Sequence, residues 1–140
     1  MNTAIDTNIV IALWDTDPAL SVAAQIALET AFHRGNLVVS AVVLAELLAA
    51  PGRTEAFVDS FLRETGITID WELEEPVWRS AGRAFQSYAE RRRKQRDAGA
   101  RRILADFLIG AHALSLGYRL LTLDERLYRT AFPSLTIETI

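Results

Sequence analysis

The chain has 140 residues, half of them hydrophobic and 24% charged, with a formal net charge of −3 and no cysteine. This composition excludes a disordered chain, and the lack of cysteine excludes disulfide bonds and thiolate metal sites. We expect one domain over residues 1–140, because domains usually have about 100–150 residues. The sequence has no signal-peptide pattern at its amino terminus, and no apolar run approaches the roughly 18 residues of a membrane helix. We therefore expect a soluble, cytoplasmic protein without a membrane partner.

Short apolar strands alternate with helices in the first half of the chain. Strands are predicted over residues 3–5, 37–39 and 67–69. The spacing of apolar residues predicts a helical turn over 9–13 and helices over 19–34, 41–50 and 54–65. Asp17 before Pro18 is typical of a helix start, and Ser40 is expected to cap the helix over 41–50.

The second half of the chain continues this alternation. Helices are predicted over 74–95, 103–116 and 125–131, and residues 97–99 separate the first helix from the second. Strands are predicted over 119–122 and 135–140. The last strand is expected at an edge of the sheet. The alternation predicts an α/β protein, a three-layer α/β/α sandwich around a mostly parallel sheet of four to five strands.

Four acidic residues occupy positions that such a fold would bring together. Asp6 directly follows the first strand, and Asp124 closely follows the fourth. Glu46 lies about two turns into the helix after the second strand, and Asp106 lies in the first turn of the helix over 103–116. Ligands of open parallel sheets bind outside the carboxyl ends of the strands. We therefore expect the four side chains to converge at that edge.

The surroundings of two of these acids indicate a metal site. Glu46 and Asp106 lie in segments that are apolar on every side, so we expect both to be buried. Burying an unpaired carboxylate costs several kcal/mol, and crowded carboxylates repel one another. A divalent cation removes that repulsion, and an all-oxygen site suits Mg²⁺ or Mn²⁺.

Each acid also has an interpretation without catalysis. The two that follow strands could be turn or helix-cap aspartates. The two within helices could be buried acids paired with Arg101 or Arg102. It is the joint pattern that favours a shared site.

Other polar and aromatic residues are expected to be structural. His33 lies at a helix end, where a cation is favourable, and His112 is expected to take part in helix packing. Trp14, Trp71 and Trp78 are scattered, so we expect core or interface positions and no stacking platform.

A basic strip precedes Asp106. Between residues 91 and 102, seven basic residues against one aspartate give a local charge of +6, so the rest of the chain carries −9. The strip is either a solvated helix end or a surface that guides a polyanion towards the acids, since arginine binds phosphate with a bidentate fork. The residues expected to bind a polyanion such as RNA are Arg92, Arg93, Arg96, Arg101 and Arg102.

The chain resembles the PIN-domain nucleases, and among them the VapC-like toxins of bacterial toxin–antitoxin modules. The resemblance covers nearly the whole chain in four stretches: Ile5-Asp6-Thr7-Asn8, residues 40–48 around Glu46, residues 106–113 from Asp106, and Leu121-Thr122-Leu123-Asp124. It implies that the four acids bind Mg²⁺ or Mn²⁺ and catalyse RNA phosphodiester hydrolysis. It also implies that Asn8 and Thr122 support the site by hydrogen bonding.

The same resemblance implies partners. VapC-like toxins form homodimers and bind a cognate antitoxin, whose carboxyl-terminal segment lies in a groove near the acids and inhibits cleavage. In this chain the helices over 19–34 and 54–65 are expected to form that groove.

Rival functions are less consistent with the residues. A phosphoacceptor receiver domain needs a lysine after a late strand, but Lys94 is the only lysine. The haloacid-dehalogenase phosphatases have Asp-x-Asp after the first strand, and this chain has Asn8 at the second aspartate position. A PIN-fold RNA-processing nuclease outside a toxin module and a non-catalytic binding domain both remain open.

Overall fold

The computed structural model describes residues 1–95 and 102–140. The predicted elements are present, mostly with ends within two residues of the expected ones, although helix α1 begins directly after Asp6 and strand β5 is shorter than expected. In chain order they are β1 (Thr3–Ile5), α1 (Thr7–Leu13), α2 (Pro18–Arg34), β2 (Leu37–Ser40), α3 (Ala41–Leu48), α4 (Glu55–Thr65), β3 (Thr68–Asp70), α5 (Glu75–Gln95), α6 (Leu104–Leu116), β4 (Arg119–Leu121), α7 (Glu125–Ala131) and β5 (Ile137–Glu138).

Within the described residues the strands form one parallel sheet in the order β3-β2-β1-β4-β5. Ala4 in the central strand β1 is paired with Val38 of β2 and Leu120 of β4. The strand order reverses direction at β1, so connections of the usual right-handed kind put α1 to α4 on one face of the sheet and α5 to α7 on the other. The expected three-layer α/β/α architecture is therefore confirmed, with β5 at an edge.

The core lies on both faces of the sheet. Every residue of β1 and β2 is buried, as is typical of strands that helices cover on both sides. On the α5–α6 side, the ring of Phe107 stacks on Phe85 with centroids 4.9 Å apart and lies 5.5 Å from the ring of Tyr88. This aromatic contact fixes the carboxyl-terminal half of α5 against the start of α6.

Gly110 allows α7 to approach α6 closely. A Cβ atom at Gly110 would lie 2.3 Å from Cε2 of Phe132 and 3.0 Å from Cδ1 of Tyr128. Both rings are buried, so they have little room to move. The missing side chain therefore determines where Tyr128 lies.

The helix starts differ from one another in how they are capped. Asp17 caps α2 as expected, because its Oδ1 accepts a hydrogen bond from the Ala19 N–H at 3.1 Å. The capping expected of Ser40 is wrong, since its hydroxyl is buried and bonds to no group that the structure describes. Helix α3 also ends at Leu48, two residues earlier than predicted.

The tryptophans separate into two groups. Trp14 packs edge-on against Phe57 and Phe61, as expected of a core residue. Trp71 and Trp78 are 66% and 51% exposed, so a core position is wrong for both. Of the helices that the structure describes, none has the length and apolarity needed to cross a bilayer.

Candidate active site

The switch point of the sheet lies between β1 and β4. The chain moves outward from β1 on one side and from β4 on the other, and doubly wound sheets bind ligands in the crevice outside such a point. A cleft of about 420 Å³ lies here, and all four predicted acids line it: Asp6, Glu46, Asp106 and Asp124. Other lining residues include Thr7, Asn8, Asp15 and Arg102.

Asp6 is the buried acid of the cleft, with 5% of its surface exposed. It occupies the position before α1, but its side chain does not cap that helix. Instead its Oδ2 accepts a hydrogen bond from the Thr122 hydroxyl at 2.7 Å. The pKa of Asp6 is raised to about 6, chiefly by burial and to a smaller extent by the charge of Asp106, while the Thr122 hydrogen bond acts in the opposite direction.

Thr122 is the centre of a small hydrogen-bond network. Its Oγ1 accepts from Asn8 Nδ2 at 3.3 Å and from the Asp124 N–H at 2.9 Å while donating to Asp6. Asn8 Oδ1 in turn accepts from the Leu123 N–H at 3.1 Å. The network joins the ends of β1 and β4, and its geometry is consistent with the supporting role predicted for Asn8 and Thr122.

Asp106 lies at the third position of α6, facing the cleft. Its Oδ2 accepts from the Ile103 N–H at 3.3 Å, which is one half of a capping box. Burial raises the pKa of Asp106, the Ile103 hydrogen bond and the Arg102 charge oppose this, and the Asp124 charge adds to it. The side chain is only half-buried, so the expectation of full burial is wrong.

Glu46 is also half-buried, so the expectation that this side chain is fully buried is wrong as well. Its Oε1 accepts a hydrogen bond of 2.6 Å from the hydroxyl of Thr7, a residue for which no role was predicted. The apolar neighbours of Glu46 and Asp106 face the core, whereas the two carboxylates lie where α3 and α6 border the cleft.

Asp124 has two partners within the chain. Its Oδ1 accepts from the Leu127 N–H at 3.4 Å and so caps α7, as its helix-cap interpretation required. Its Oδ2 lies 2.5 Å from Nη1 of Arg102. The alternative interpretation, in which Arg102 forms an ion pair with Glu46 or Asp106, is therefore not found, although the Arg102 charge does lower the pKa of Asp106.

Tyr88 connects Arg102 to the basic end of α5. The Tyr88 hydroxyl accepts from the Arg102 N–H at 2.8 Å and from Arg92 Nη1 at 3.3 Å. Arg93 is exposed and lies with Glu90 and Lys94 on the outer surface of α5. Of the predicted RNA-binding residues, the structure places Arg102 in the cleft and Arg92 next to it, while Arg96 and Arg101 lie outside the described residues.

Tyr128 is a site residue without a signal in the sequence. Its hydroxyl is buried near Asp6 and lowers the pKa of that acid, although it makes no hydrogen bond of regular geometry within the described chain. Burial and the neighbouring negative charge of Asp6 raise the pKa of Tyr128, so the hydroxyl stays protonated.

The cleft suits a hard cation by its chemistry, but its side chains are not yet arranged around one. Among the described residues, no three carboxylate or imidazole groups are close enough together to hold a metal ion as they stand. Glu46 and Asp124 bond to Thr7 and Arg102 instead. The donors are nevertheless all oxygen atoms, and the raised pKa values of Asp6 and Asp106 reflect a penalty that a bound cation would relieve.

The two histidines take no part in the cleft. His112 is buried within α6, as expected of a packing residue, and its Nε2 lies 2.8 Å from Oδ2 of Asp70. His33 lines a separate apolar groove next to Phe32.

Fold and site define a doubly wound α/β protein with an acidic cleft at its switch point. The model of the PIN domain matches residues 3–133, and the chain belongs to that family, which confirms the family recognised from the four stretches. PIN domains are generally nucleases. A comparison with the curated proteins gave no significant match.

The fold is also found in solved structures of VapBC and FitAcB. A chain of VapBC2 from Rickettsia felis, bound to a promoter DNA fragment, is 21% identical with a TM-score of 0.71, covering 99% of this chain and 98% of that one. A chain of VapBC-1 from nontypeable Haemophilus influenzae is 22% identical with a TM-score of 0.67, and the match covers 99% of this chain and 98% of that one. A chain of FitAcB from Neisseria gonorrhoeae is 21% identical with a TM-score of 0.60, and the match covers 96% of this chain and 95% of that one. At these identities the comparisons establish a shared fold.

Proposed function

We propose that this chain is a metal-dependent endoribonuclease that hydrolyses RNA phosphodiester bonds in the cleft of Asp6. The observation that carries the proposal is that four acids from four separate segments line one cleft at the switch point. Membership of a family of nucleases supports the reaction class. The proposal takes residues 1–140 as a single catalytic domain that acts in the cytoplasm.

Asp6, Glu46, Asp106 and Asp124 would hold Mg²⁺ or Mn²⁺. Such an ion supplies an activated water and stabilises charge on the scissile phosphate. Asp6 stays oriented by the Thr122 hydroxyl and by the buried Tyr128 beside it. Arg102 lines the same cleft and carries a guanidinium that can bind a phosphate oxygen.

We further propose that the nuclease is the toxin of a toxin–antitoxin pair and forms a homodimer. The similarity in fold to chains of VapBC and FitAcB complexes supports this role. An apolar groove of about 270 Å³ between α2 and the end of α4 supports binding of an antitoxin segment, although it lies where β2 and β3 begin and not, as was expected, beside the acids. Its lining includes Leu28, Phe32, Thr65 and Ile67.

The activity is tested by incubating the purified protein with total cellular RNA and Mg²⁺ or Mn²⁺ and mapping the ends produced. We expect cleavage that EDTA abolishes and that is lost in Asp6→Asn and Asp106→Asn. Undiminished cleavage in both variants would point to a contaminating nuclease, and no cleavage by the folded wild-type protein would favour a non-catalytic binding domain.

The toxin role is tested separately from the activity. Expression of the wild-type chain should arrest growth, whereas expression of Asp6→Asn should not. Co-expression of the product of an adjacent small DNA-binding gene should restore growth and co-purify with the chain. Active nuclease without growth arrest would instead favour an RNA-processing enzyme outside a toxin module.

A further inference from the structure

A second polar groove lies on the α5–α7 side of the molecule. It has a volume of about 310 Å³ and lies between the middle of α5 and the turn after α7. No acidic residue of the described chain lines it. Its polar side chains are two arginines and four hydroxyl groups: Arg83, Arg91, Ser80, Ser87, Thr130 and Ser134.

The α5 residues of the groove form one face of that helix. Ser80, Arg83, Ser87 and Arg91 recur at spacings of three and four, which places them in a row along the helix axis. Arg91 is half-buried, so its guanidinium has a restricted range of positions. The row therefore presents positive charge and hydroxyl donors on a single surface.

Unlike Arg79 and Arg129 on the same helices, the two groove arginines have no acidic partner among the described residues. Arg79 pairs with Glu75 on α5, and Arg129 pairs with Glu125 on α7. No carboxylate in residues 1–95 or 102–140 lies within ion-pair distance of Arg83 or Arg91. Their charge is thus not neutralised by the described part of the chain, and it is available to an anion.

The groove and the catalytic cleft share two helices. Asp124 in the cleft caps the start of α7, and Thr130 near the end of the same helix lines the groove. The two residues are about 9 Å apart along the helix axis. On α5, Tyr88 bonds to Arg102 of the cleft, and Arg91 lies less than one turn further on. The groove and the cleft therefore lie near each other on the same two helices, within the span of one extended polymer.

We propose that this groove binds the phosphodiester backbone of single-stranded RNA beside the segment that is cut. Arginine forks and hydroxyl donors are the groups that contact phosphate without reading sequence. Proximity to the proposed cleavage site favours RNA over an acidic protein segment. This inference rests on the proposed nuclease function and adds a substrate-binding site outside the cleavage centre.

The test compares RNA binding by Asp6→Asn protein with and without the added pair Arg83→Gln and Arg91→Gln. A fluorescent single-stranded RNA is titrated in EDTA at several salt concentrations. We expect affinity at 0.1 M salt to fall about tenfold or more, and the slope of log K against log salt to become shallower by about 1.4, or about 0.7 per lost phosphate contact. Arg79→Gln with Arg63→Gln is the matched control, which removes the same charge elsewhere.

Cleavage assays separate failure of this inference from failure of the proposed function. In an otherwise wild-type protein, the double variant should cut a long single-stranded RNA more slowly, mainly through a higher KM, and cut a trinucleotide at the wild-type rate. Equal binding and equal cleavage of long RNA would overturn the groove proposal while leaving the nuclease intact. Loss of affinity equal to that of the control pair would reduce the effect to net charge and also overturn it. Circular dichroism and melting temperature verify that each variant is folded.

Discussion

Arg102 Nη1 lies 2.5 Å from Asp124 Oδ2 inside the acidic cleft. The guanidinium therefore neutralises one of the four acids and also lowers the pKa of Asp106. A cation that enters the cleft must compete with this arginine for Asp124. The pair is partly exposed, so its contribution is in the range of about 0.2–1 kcal/mol.

Replacing Arg102 by Gln should separate metal binding from catalysis. We expect Mn²⁺ affinity, measured by calorimetry, to rise about two- to fivefold, because the competing charge is gone. RNA cleavage should nevertheless fall, because a phosphate-binding group in the cleft is lost. Arg129→Gln breaks a comparable ion pair with Glu125 outside the cleft and serves as the control. Weaker Mn²⁺ binding in Arg102→Gln would mean that the arginine organises the acids for the metal.

The raised pKa of Asp6 predicts how the stability of the metal-free protein depends on pH. Its pKa is raised from 3.8 to about 6 in the folded protein, chiefly by burial. Below pH 3.8 the carboxyl is protonated in both states. As pH rises towards 6, the unfolded state loses its proton first, so the folded state loses stability, up to about 3 kcal/mol for a shift of this size.

Asp6→Asn should remove this loss, so in EDTA the variant should exceed wild type in stability above pH 6 and match it below pH 3.8. Urea unfolding across this range measures the difference. Asp59→Asn on the exposed face of α4 provides a control that should leave the profile unchanged. A variant that is less stable than wild type at every pH would show Asp6 to be a structural hydrogen-bond acceptor.

Thr122 links Asp6, Asn8 and the backbone of Asp124 through one hydroxyl. Thr122→Val keeps the shape of the side chain but removes all three hydrogen bonds. We expect a loss of about 1–3 kcal/mol in unfolding free energy and a marked fall in RNA cleavage, as Asp6 loses its orienting donor. Both effects are measurable by urea unfolding and single-turnover kinetics.

Thr3→Val is the matched control for Thr122→Val. Thr3 is equally buried on β1, but its hydroxyl bonds to no group that the structure describes. Its substitution should be neutral or stabilising. If the two variants changed unfolding free energy and RNA cleavage equally, Thr122 would contribute through packing and not through its hydrogen bonds.

The sequence predicted what depends on local pattern. Short apolar runs located the strands, and apolar residues at helical spacing located the helices. The positions of Asp6 and Asp124 just after strands predicted the edge of the sheet at which these two acids lie. These features follow from the chain's periodicity and from the geometry of any parallel sheet.

Contacts between distant segments were beyond the sequence pattern. Thr7 and Glu46 are 39 residues apart, and their hydrogen bond depends on how α1 packs beside α3. Pairing of Arg102 with Glu46 or Asp106 was one alternative, yet Arg102 contacts Asp124 because α6 and α7 both begin at the cleft. Apolar neighbours suggested burial of Glu46, but a helix that borders a cleft can have an apolar sequence and still present one polar side chain to solvent.

Gly110 connects core packing to the site, and its substitution gives a prediction that the sequence alone did not suggest. A Cβ at this position meets the Phe132 ring at 2.3 Å and Tyr128 at 3.0 Å. Gly110→Ala should therefore lower the free energy of unfolding by about 1–3 kcal/mol, because both rings must move within a packed core. Since the Tyr128 hydroxyl lies near Asp6, cleavage should fall as well.

Gly82→Ala is the control, because Gly82 lies within α5 and a Cβ there meets nothing within 4 Å. This change should stabilise the protein by about 0.5–1 kcal/mol through helix propensity, without an effect on cleavage. Chemical denaturation and single-turnover cleavage on the two variants test both expectations. If Gly110→Ala loses stability but cleaves RNA at the wild-type rate, then the position of Tyr128 has no bearing on Asp6 during the reaction. If it gains stability as Gly82→Ala does, the close approach of α7 to α6 is wrong.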